Sequence, residues 1–397
     1  MPPATATATA HYARDTAPVV SGPLALIVPS PESAELQQHY RSHDQGFVTV
    51  SPPAHTLPPG VATPSPDATN TVLHQGLRST ARQLRALGVS GIVPGSSQGV
   101  DLAARLAEQL DLPGNEPSTS MVRRDRDAQA KAWSRAGLPS ARTVRSTSLP
   151  TALRWARFVN VPELVVAPAD TSVSGPARTC RAHAEIGLAW VPIRRAAHHH
   201  SGSRYVVLQE RIAGRQYTVR TTTAEGQHTV TEIWALTHTP AGLLDRADLL
   251  PASSILNRPL KHLAGHALTA LGVRHGAMRL RLAHHPERGP VLLSARVDVT
   301  PTHPRPAARL HTTRVTLHAP ADGVLNRRLL RTVIQLPTVY RIEGELQPGA
   351  PITQTHNRHT SPGVVELAGG PEAVRADHDM IRLLEARGLY AQFGDTL

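Results

Sequence analysis

The clearest alternation of apolar and polar positions runs from Met278 to Asp298, MRLRLAHHPERGPVLLSARVD. Met278, Leu280 and Leu282 alternate with Arg279 and Arg281. Past Gly289-Pro290, Val291, Leu293, Ala295 and Val297 alternate with Leu292, Ser294, Arg296 and Asp298. A period of two buries one face of a strand and leaves the other polar. The segment is predicted to be a hairpin whose polar face holds Arg279, Arg281, Ser294, Arg296 and Asp298.

Elsewhere the period changes between two and 3.6. Residues 23–50 read as strand, helix, strand, with PLALIVPS as the first strand and FVTVS as the second. Residues 51–69 form a Pro/Thr/Ser-rich loop. TVLHQGLRSTARQLRALG is predicted to be helical, VSGIVPGSS a strand and GVDLAARLAEQLDL a helix stopped by Pro113-Gly114. Strand–helix repeats of this size predict a parallel, doubly wound sheet. No GxGxxG follows a strand, so the dinucleotide fingerprint is missing. RDRDAQAKAWSRAG is a helix closed by Gly137 and Pro139. LPTALRWARFV is a helix, ELVVAPAD a strand, RAHAEIGLAWV a helix and RYVVLQERI a strand. His198-His199-His200 is expected in the loop between those last two. Adjacent residues rarely converge on one ion, so a solvated loop is favoured over a metal site. QYTVRTTT and QHTVTEIWALTH open an antiparallel sheet, LKHLAGHALTALG is a helix, and DHDMIRLLEARG is a last helix.

Composition narrows the function. The chain has 397 residues, 40% hydrophobic, enough for more than one domain. It has no apolar run long enough to span a membrane and no apolar core of a signal peptide near the start. The single cysteine, Cys180, excludes an internal disulfide and fits a reducing, cytoplasmic setting. The net charge is +12 and the pI about 10.9. The basic residues are scattered and aromatics are only 3%, which argues against nucleic-acid binding. Of the 42 basic residues only Lys131 and Lys261 are lysine. That arginine excess, with abundant Ala, Pro and Thr, suggests the codon bias of a GC-rich bacterium.

Six stretches in register resemble the ATP-grasp carboxylate–amine ligases. GIVPGSSQGVDLAARLAEQLDLPGN followed by RRDRDAQAKAWSRAGLPSART is similar to the family's Gly-Ser turn, its helix ending in LPGN, its RDK helix and GLP. VPELVVAPAD, VLQERIAGRQYTV, ALGVRHGAMRLRL and GPVLLSARVD resemble its lid strand, nucleotide hinge and two metal-bearing strands. The resemblance runs from about residue 24 to 300 and more weakly to the end. It implies an α/β and α+β chain, in which a doubly wound pre-ATP-grasp domain precedes a two-lobed ATP-grasp fold. The expected division is a tail over 1–22, the α/β domain over 23–115 and a linker helix over 116–144. The lid follows over 145–215, then the large domain over 216–310, completed by strands and a helix over 311–397.

The resemblance also implies ATP and Mg²⁺, because such ligases bring several negative charges together. Carried over residue by residue, this chain departs from the pattern. The lid lysine matches Ala167, and the RDK lysine matches Arg126. The Gly-rich phosphate loop matches Ser172-Val173-Ser174-Gly175-Pro176. The two metal-binding glutamates match Arg281 and Ser294, the metal-binding Asn matches Arg296, and the arginine closing the motif matches Asp298. In the hinge, Gln209, Glu210 and Ile212 fit the pattern, while the Glu after Gly214 is Gln216.

The nucleotide-contacting set that the resemblance implies is Arg126, Gln209, Glu210, Ile212 and Gln216. Arg281, Arg296 and Asp298 line the altered site. Mg²⁺ is not expected, and the case for ATP is weakened. Asp298 is expected to be the internal counter-ion of Arg281 and Arg296. The leading reading is a non-catalytic or regulatory homologue that binds a partner enzyme or an anionic small molecule, in a peptide-like natural-product pathway; a homodimer is compatible with it. The alternative is an active ATP-dependent carboxylate–amine ligase with a rebuilt, arginine-rich site. A third reading is an interaction module for an anionic polymer.

Overall fold

The computed structural model describes residues 22–30, 33–53, 70–171, 173, 177–301, 310–344, 346–347, 349–357 and 360–391. The tail expected over 1–22 (save Gly22), most of the 51–69 loop, and Ser172, Ser174, Gly175 and Pro176 lie outside them. Contacts gather the chain into two compact units. The first holds residues up to Gly214, with Val219–Thr231 and Arg258–His303; the second holds Arg215–Thr218, Glu232–Asn257 and Pro304 onward.

The first unit opens with a parallel sheet in the order β3-β2-β1-β4. Its strands are β1 (Leu24–Ile27), β2 (Phe47–Ser51), β3 (Thr71–Leu73) and β4 (Gly91–Pro94), joined by α1 (Ala34–Ser42) and α2 (Leu77–Ala86) and followed by α3 (Val100–Leu110). The apolar stripe of α2 and α3, Ala81, Leu84, Ala103 and Leu106, packs on Ala25, Ile27, Val48 and Val50. Residues 71–73 were expected to begin a helix. They form a strand instead, because Thr71 and Val72 are β-branched and pair in parallel with Thr49 and Val50.

α4 (Arg126–Arg135) follows. Asp125 caps it: its Oδ1 accepts the amides of Asp127 and Ala128 at 3.1 and 2.9 Å. An antiparallel sheet comes next, in the order β5-β8-β6-β7. It holds β5 (Thr143–Ser146), β6 (Leu164–Pro168), β7 (Arg178–Cys180) and β8 (Val206–Glu210), covered by α5 (Leu149–Val159) and α6 (His183–Ser201).

α6 corrects the sequence reading. The helix does not end near Val191 but continues through Pro192, and His198, His199 and His200 lie in its last turn rather than in a loop. A proline inside a helix costs about 3 kcal/mol. Ile186, Ala189, Trp190, Ile193 and Ala197 keep a buried stripe running past it, and that packing outweighs the local penalty.

β9 (Arg215–Ala224) and β10 (Gln227–His238) supply residues to both units. The first unit then holds α7 (Asn257–Ala270) from Arg258 on, β12 (Gly276–His285) and β13 (Gly289–Val297); β11 (Leu244–Leu249) belongs to the second unit. The second unit pairs β11 with β14 (His311–Thr316), and β14 with β18 (Val364–Gly369). β18 pairs in turn with β16 (Val339–Glu343). A small sheet joins β15 (Gly323–Leu325) to β17 (Pro351–Ile352) and β19 (Tyr390–Ala391). α8 (Arg327–Ile334) and α9 (Pro371–Ala386) close a core around Val315, Leu330, Val365, Leu367 and Ile381.

Candidate functional site

β12 and β13 form the expected hairpin, with one irregularity. Arg279 pairs with Arg296 and Arg281 with Ser294, so the polar face is as the alternation predicts. Between Arg281 and Leu282 the register shifts, and Leu282 pairs with Leu292. Leu293 is the extra residue of a β-bulge, which flips the alternation beyond it. Leu292, not Leu293, is therefore fully buried.

Asp298 has different partners from those expected. Its Oδ2 accepts from Arg220 Nε at 2.5 Å, and its Oδ1 from Arg279 at 2.7 Å and from the Thr300 amide at 3.2 Å. Arg220 also donates to the Thr300 carbonyl at 2.5 Å. The side chains of Arg220, Arg279 and Asp298 are 5%, 11% and 3% exposed, so this is a buried ion network. Burial alone would raise the Asp298 pKa, but the charges of Arg279 and Arg220 and their hydrogen bonds hold it well below the usual carboxylate range. Arg220 escaped the sequence reading. Alternation puts it with Gln216, Thr218 and Thr222, on the face opposite Tyr217 and Val219, so the period gave no sign that it is buried.

Arg281 and Arg296 lie diagonally across the hairpin, so their side chains share one face. A third guanidinium joins them. Arg126 opens α4; its amide donates to the Ala169 carbonyl at 3.0 Å and its Nε to the Pro168 carbonyl at 3.1 Å. Burial lowers the Arg126 pKa to about 10, with Arg281 and Arg296 adding to the drop. Arg281 is itself lowered, by desolvation first and Arg296 second. Arg281 is exposed to solvent. Asp170 and Asp125 oppose that drop in Arg126; Asp125 also accepts from Arg145 at 3.0 Å and Asp170 from Arg124 at 2.6 Å.

Gln129 fixes α4 against the hairpin. Its Nε2 donates to the Ala295 carbonyl at 2.7 Å, and its Oε1 accepts the Ala295 amide at 2.9 Å. One side chain thus acts as a strand neighbour beside Arg296, a role with no signature in the sequence.

The hinge residues expected to contact the nucleotide lie as follows. Gln209 donates to Thr143 Oγ1 at 3.1 Å and to the Leu293 carbonyl at 2.8 Å. Glu210 accepts from the Arg142 amide and guanidinium at 3.2–3.3 Å and from Arg288 at 2.9 Å. Burial would raise its pKa, and these arginines more than reverse that. Ile212 packs with Ala141, Ala283 and Val291. Gln216 is half-buried at the start of β9, in the second unit. Ala167 is buried against Ala169 and Val207. A cavity of about 480 Å³ lies past the carboxyl ends of β1, β2 and β3, lined by Val28, Pro52, His74, Asp101, Arg105 and Arg124 among others.

No family model matches the sequence, and no curated protein matches it. Solved structures do. An L-amino acid ligase from Bacillus licheniformis aligns over 91% of this chain and 97% of its own at 14% identity, with a TM-score of 0.69. A carboxyaminoimidazole ribonucleotide synthase from Aspergillus clavatus, complexed with ATP, covers 92% and 99% at 10% identity and 0.65. The biotin carboxylase domain of a Hydrogenobacter thermophilus 2-oxoglutarate carboxylase, complexed with MgADP, covers 87% and 85% at 12% identity and 0.58. The chain has the ATP-grasp fold. At these identities the likeness carries the fold and no residue role. Among the described residues, no helix is long and apolar enough to cross a membrane.

The positions that the ATP-grasp motifs assign to metal carry Arg281, Ser294 and Arg296. Mg²⁺ demands hard oxygen ligands, chiefly carboxylates, in near-octahedral order. Two guanidiniums and one buried hydroxyl do not supply them, so the residues present do not fit the ion.

Proposed function

We propose that this ATP-grasp chain is a non-catalytic homologue whose Arg126, Arg281 and Arg296 form a metal-free anion site. Its ligand is an anionic small molecule bearing a phosphoryl or carboxylate group. The observation that carries this reading is the convergence of three guanidiniums from a helix start and two strands, close enough that Arg281 and Arg296 both lower the Arg126 pKa. Like charges repel, and holding them together costs stability unless an anion repays it. Arginine suits the task because its planar fork binds oxyanions in two-point fashion.

The fold neighbours bind ATP and MgADP, so inorganic tripolyphosphate and ATP are the natural probes. Calorimetric titration of the full chain should show binding of tripolyphosphate without Mg²⁺. Arg281→Ala should weaken it about tenfold, the scale of one charge-assisted contact. Added Mg²⁺ should not tighten it. Binding that appears only with Mg²⁺, or ATP turnover, would overturn this reading in favour of an active ligase with a rebuilt site.

A further inference from the structure

α7 carries a pair of histidines with no task inside the protein. His262 and His266 are one helical turn apart and both exposed, with ring centroids 4.2 Å apart and the rings edge to face. Residues four apart share a helix face. Among the described residues, neither ring has a hydrogen-bond partner. The contrast is α1, where His39 and His43 have the same spacing and ring centroids 4.1 Å apart. There the His43 Nδ1 lies 2.8 Å from the His39 carbonyl and 3.1 Å from Ser42 Oγ, so the ring is already committed.

Gly265 lies on the same face. Glycine weakens a helix interior relative to alanine. Packing does not require it here, since an added Cβ would meet nothing within 4 Å. The bare position keeps the approach to both imidazoles open.

We propose that His262 and His266 form a surface site for a divalent transition-metal ion of the Cu(II) or Ni(II) class. Imidazole is the side chain such ions favour. Two imidazoles bound at about 2.0–2.1 Å place their ring centroids roughly 4.5 Å apart at a right angle and roughly 5.2 Å at the tetrahedral angle. The 4.2 Å observed leaves the two rings within a small side-chain rotation of such a chelate. Water or an external ligand completes the coordination shell, and Cu(II) should bind most tightly by the general order of divalent affinities. The site is independent of the arginine cluster.

The test is titration of the full chain with Cu(II) alone, and with Ni(II) alone, followed by calorimetry and by visible absorption of the Cu(II) complex. Other surface histidines give a background, so the comparison is between variants. One equivalent should weaken about tenfold or more in both His262→Ala and His266→Ala, the scale expected when a metal site is disrupted. It should stay unchanged in a His199→Ala, His200→Ala control. Far-UV circular dichroism of the exposed-site variants checks that α7 persists. If either single variant keeps the full isotherm, or the control alone abolishes it, the α7 site is wrong.

Discussion

In the second unit, the larger buried or half-buried charge clusters are balanced. Asp245 accepts from Arg382 at 2.9 Å and lies 3.3 Å from His378 Nε2. Glu385 accepts from Arg382 at 2.5 Å, from the His318 amide at 2.6 Å and from Tyr390 at 3.1 Å. Glu366 accepts from Arg314 at 2.6 Å and from Tyr340 at 2.5 Å, and Arg314 also lies over the Trp234 ring at 4.3 Å. In the first unit, one hairpin holds two kinds of charge. Asp298 is matched to Arg220 and Arg279 in the manner of the second unit. Arg281 and Arg296 lie close enough to a third arginine, Arg126, to lower its pKa, while Asp170 and Asp125 raise it. On the proposed reading, the difference separates groups that hold strands together from groups that bind an anion.

The sharpest way to break this comparison is to remove the acid from the balanced hairpin cluster. Asp298→Ala leaves Arg220 and Arg279 buried beside each other without their carboxylate. Losing one partner of a buried pair typically costs about 3–5 kcal/mol. Denaturant unfolding should report that loss, little restored by 10–50 mM phosphate (roughly a large excess over a weak anion site). A cost under about 1 kcal/mol, the scale of an exposed pair, would place Asp298 among the binding groups.

The hinge tests an intermediate case. Glu210 is buried, but its partners Arg142 and Arg288 are 54% and 40% exposed. Solvent screening reduces what such pairs contribute. Glu210→Gln should cost about 1–2 kcal/mol, from hydrogen bonds to a charged acceptor discounted for exposure. A loss above about 3 kcal/mol, the buried-pair scale, would show that the hinge is as sealed as the Asp298 network.

A balanced cluster should also show itself in pH dependence. The His378 pKa is raised above 6.5, by its hydrogen bond to Asp245 first and against desolvation. The Asp245 pKa is lowered to about 2; burial opposes the drop, while His378 and Arg382 drive it. A raised base contributes fully below its unfolded pKa and loses that contribution as pH rises through its folded one. A lowered acid contributes fully above its unfolded value and loses it as pH falls through the folded one. The pair should therefore contribute most between about pH 4 and 6.5, and less above that. His378→Gln should flatten the alkaline decline by about 1 kcal/mol, the scale of one such hydrogen bond. An unchanged slope in denaturant melts would assign the decline to other groups.

Much of the fold was legible because burial writes a period. The hairpin, the strand–helix–strand of residues 23–50, the helices from 100 and 126, and the last helix, expected from Asp377 and observed from Pro371, each carry it in a run of apolar residues. The failures have local causes. Pro192 reads as a stop, but a buried stripe on both sides of it decides otherwise. Thr71-Val72-Leu73 is too short to show a period. The bulge at Leu293 shifts the phase within a strand, and alternation cannot announce that in advance. At the candidate site, residue types were legible and pairings were not. Asp298 was close in sequence to Arg296, but its partners are Arg279 and Arg220, the second 78 residues away. Arg126 could be placed beside the hairpin only once α4 was packed on β13.

The smallest expected effect bears most directly on the cluster of Arg126, Arg281 and Arg296. Arg126→Gln removes one of three like charges and keeps a donor able to reach the Pro168 carbonyl. Relief of repulsion and loss of a charged hydrogen bond nearly cancel, so stability should change by under about 1 kcal/mol, the scale of a partly exposed pair. The change should be most favourable to the variant at low salt, where repulsion is least screened. Its linkage has the opposite sign to that of His378. A base whose pKa falls on folding, here to about 10, lowers stability while both states are charged, and that penalty fades as pH rises past about 10. Wild type should therefore gain on the variant in melts taken toward pH 10.5 (roughly the onset of that window). Tripolyphosphate should reverse the low-salt ranking at neutral pH, because only wild type presents the complete cluster. If Arg126→Gln costs several kcal/mol and tripolyphosphate protects both proteins equally, the three arginines are a structural knot like the one around Asp298, and the anion must be sought elsewhere.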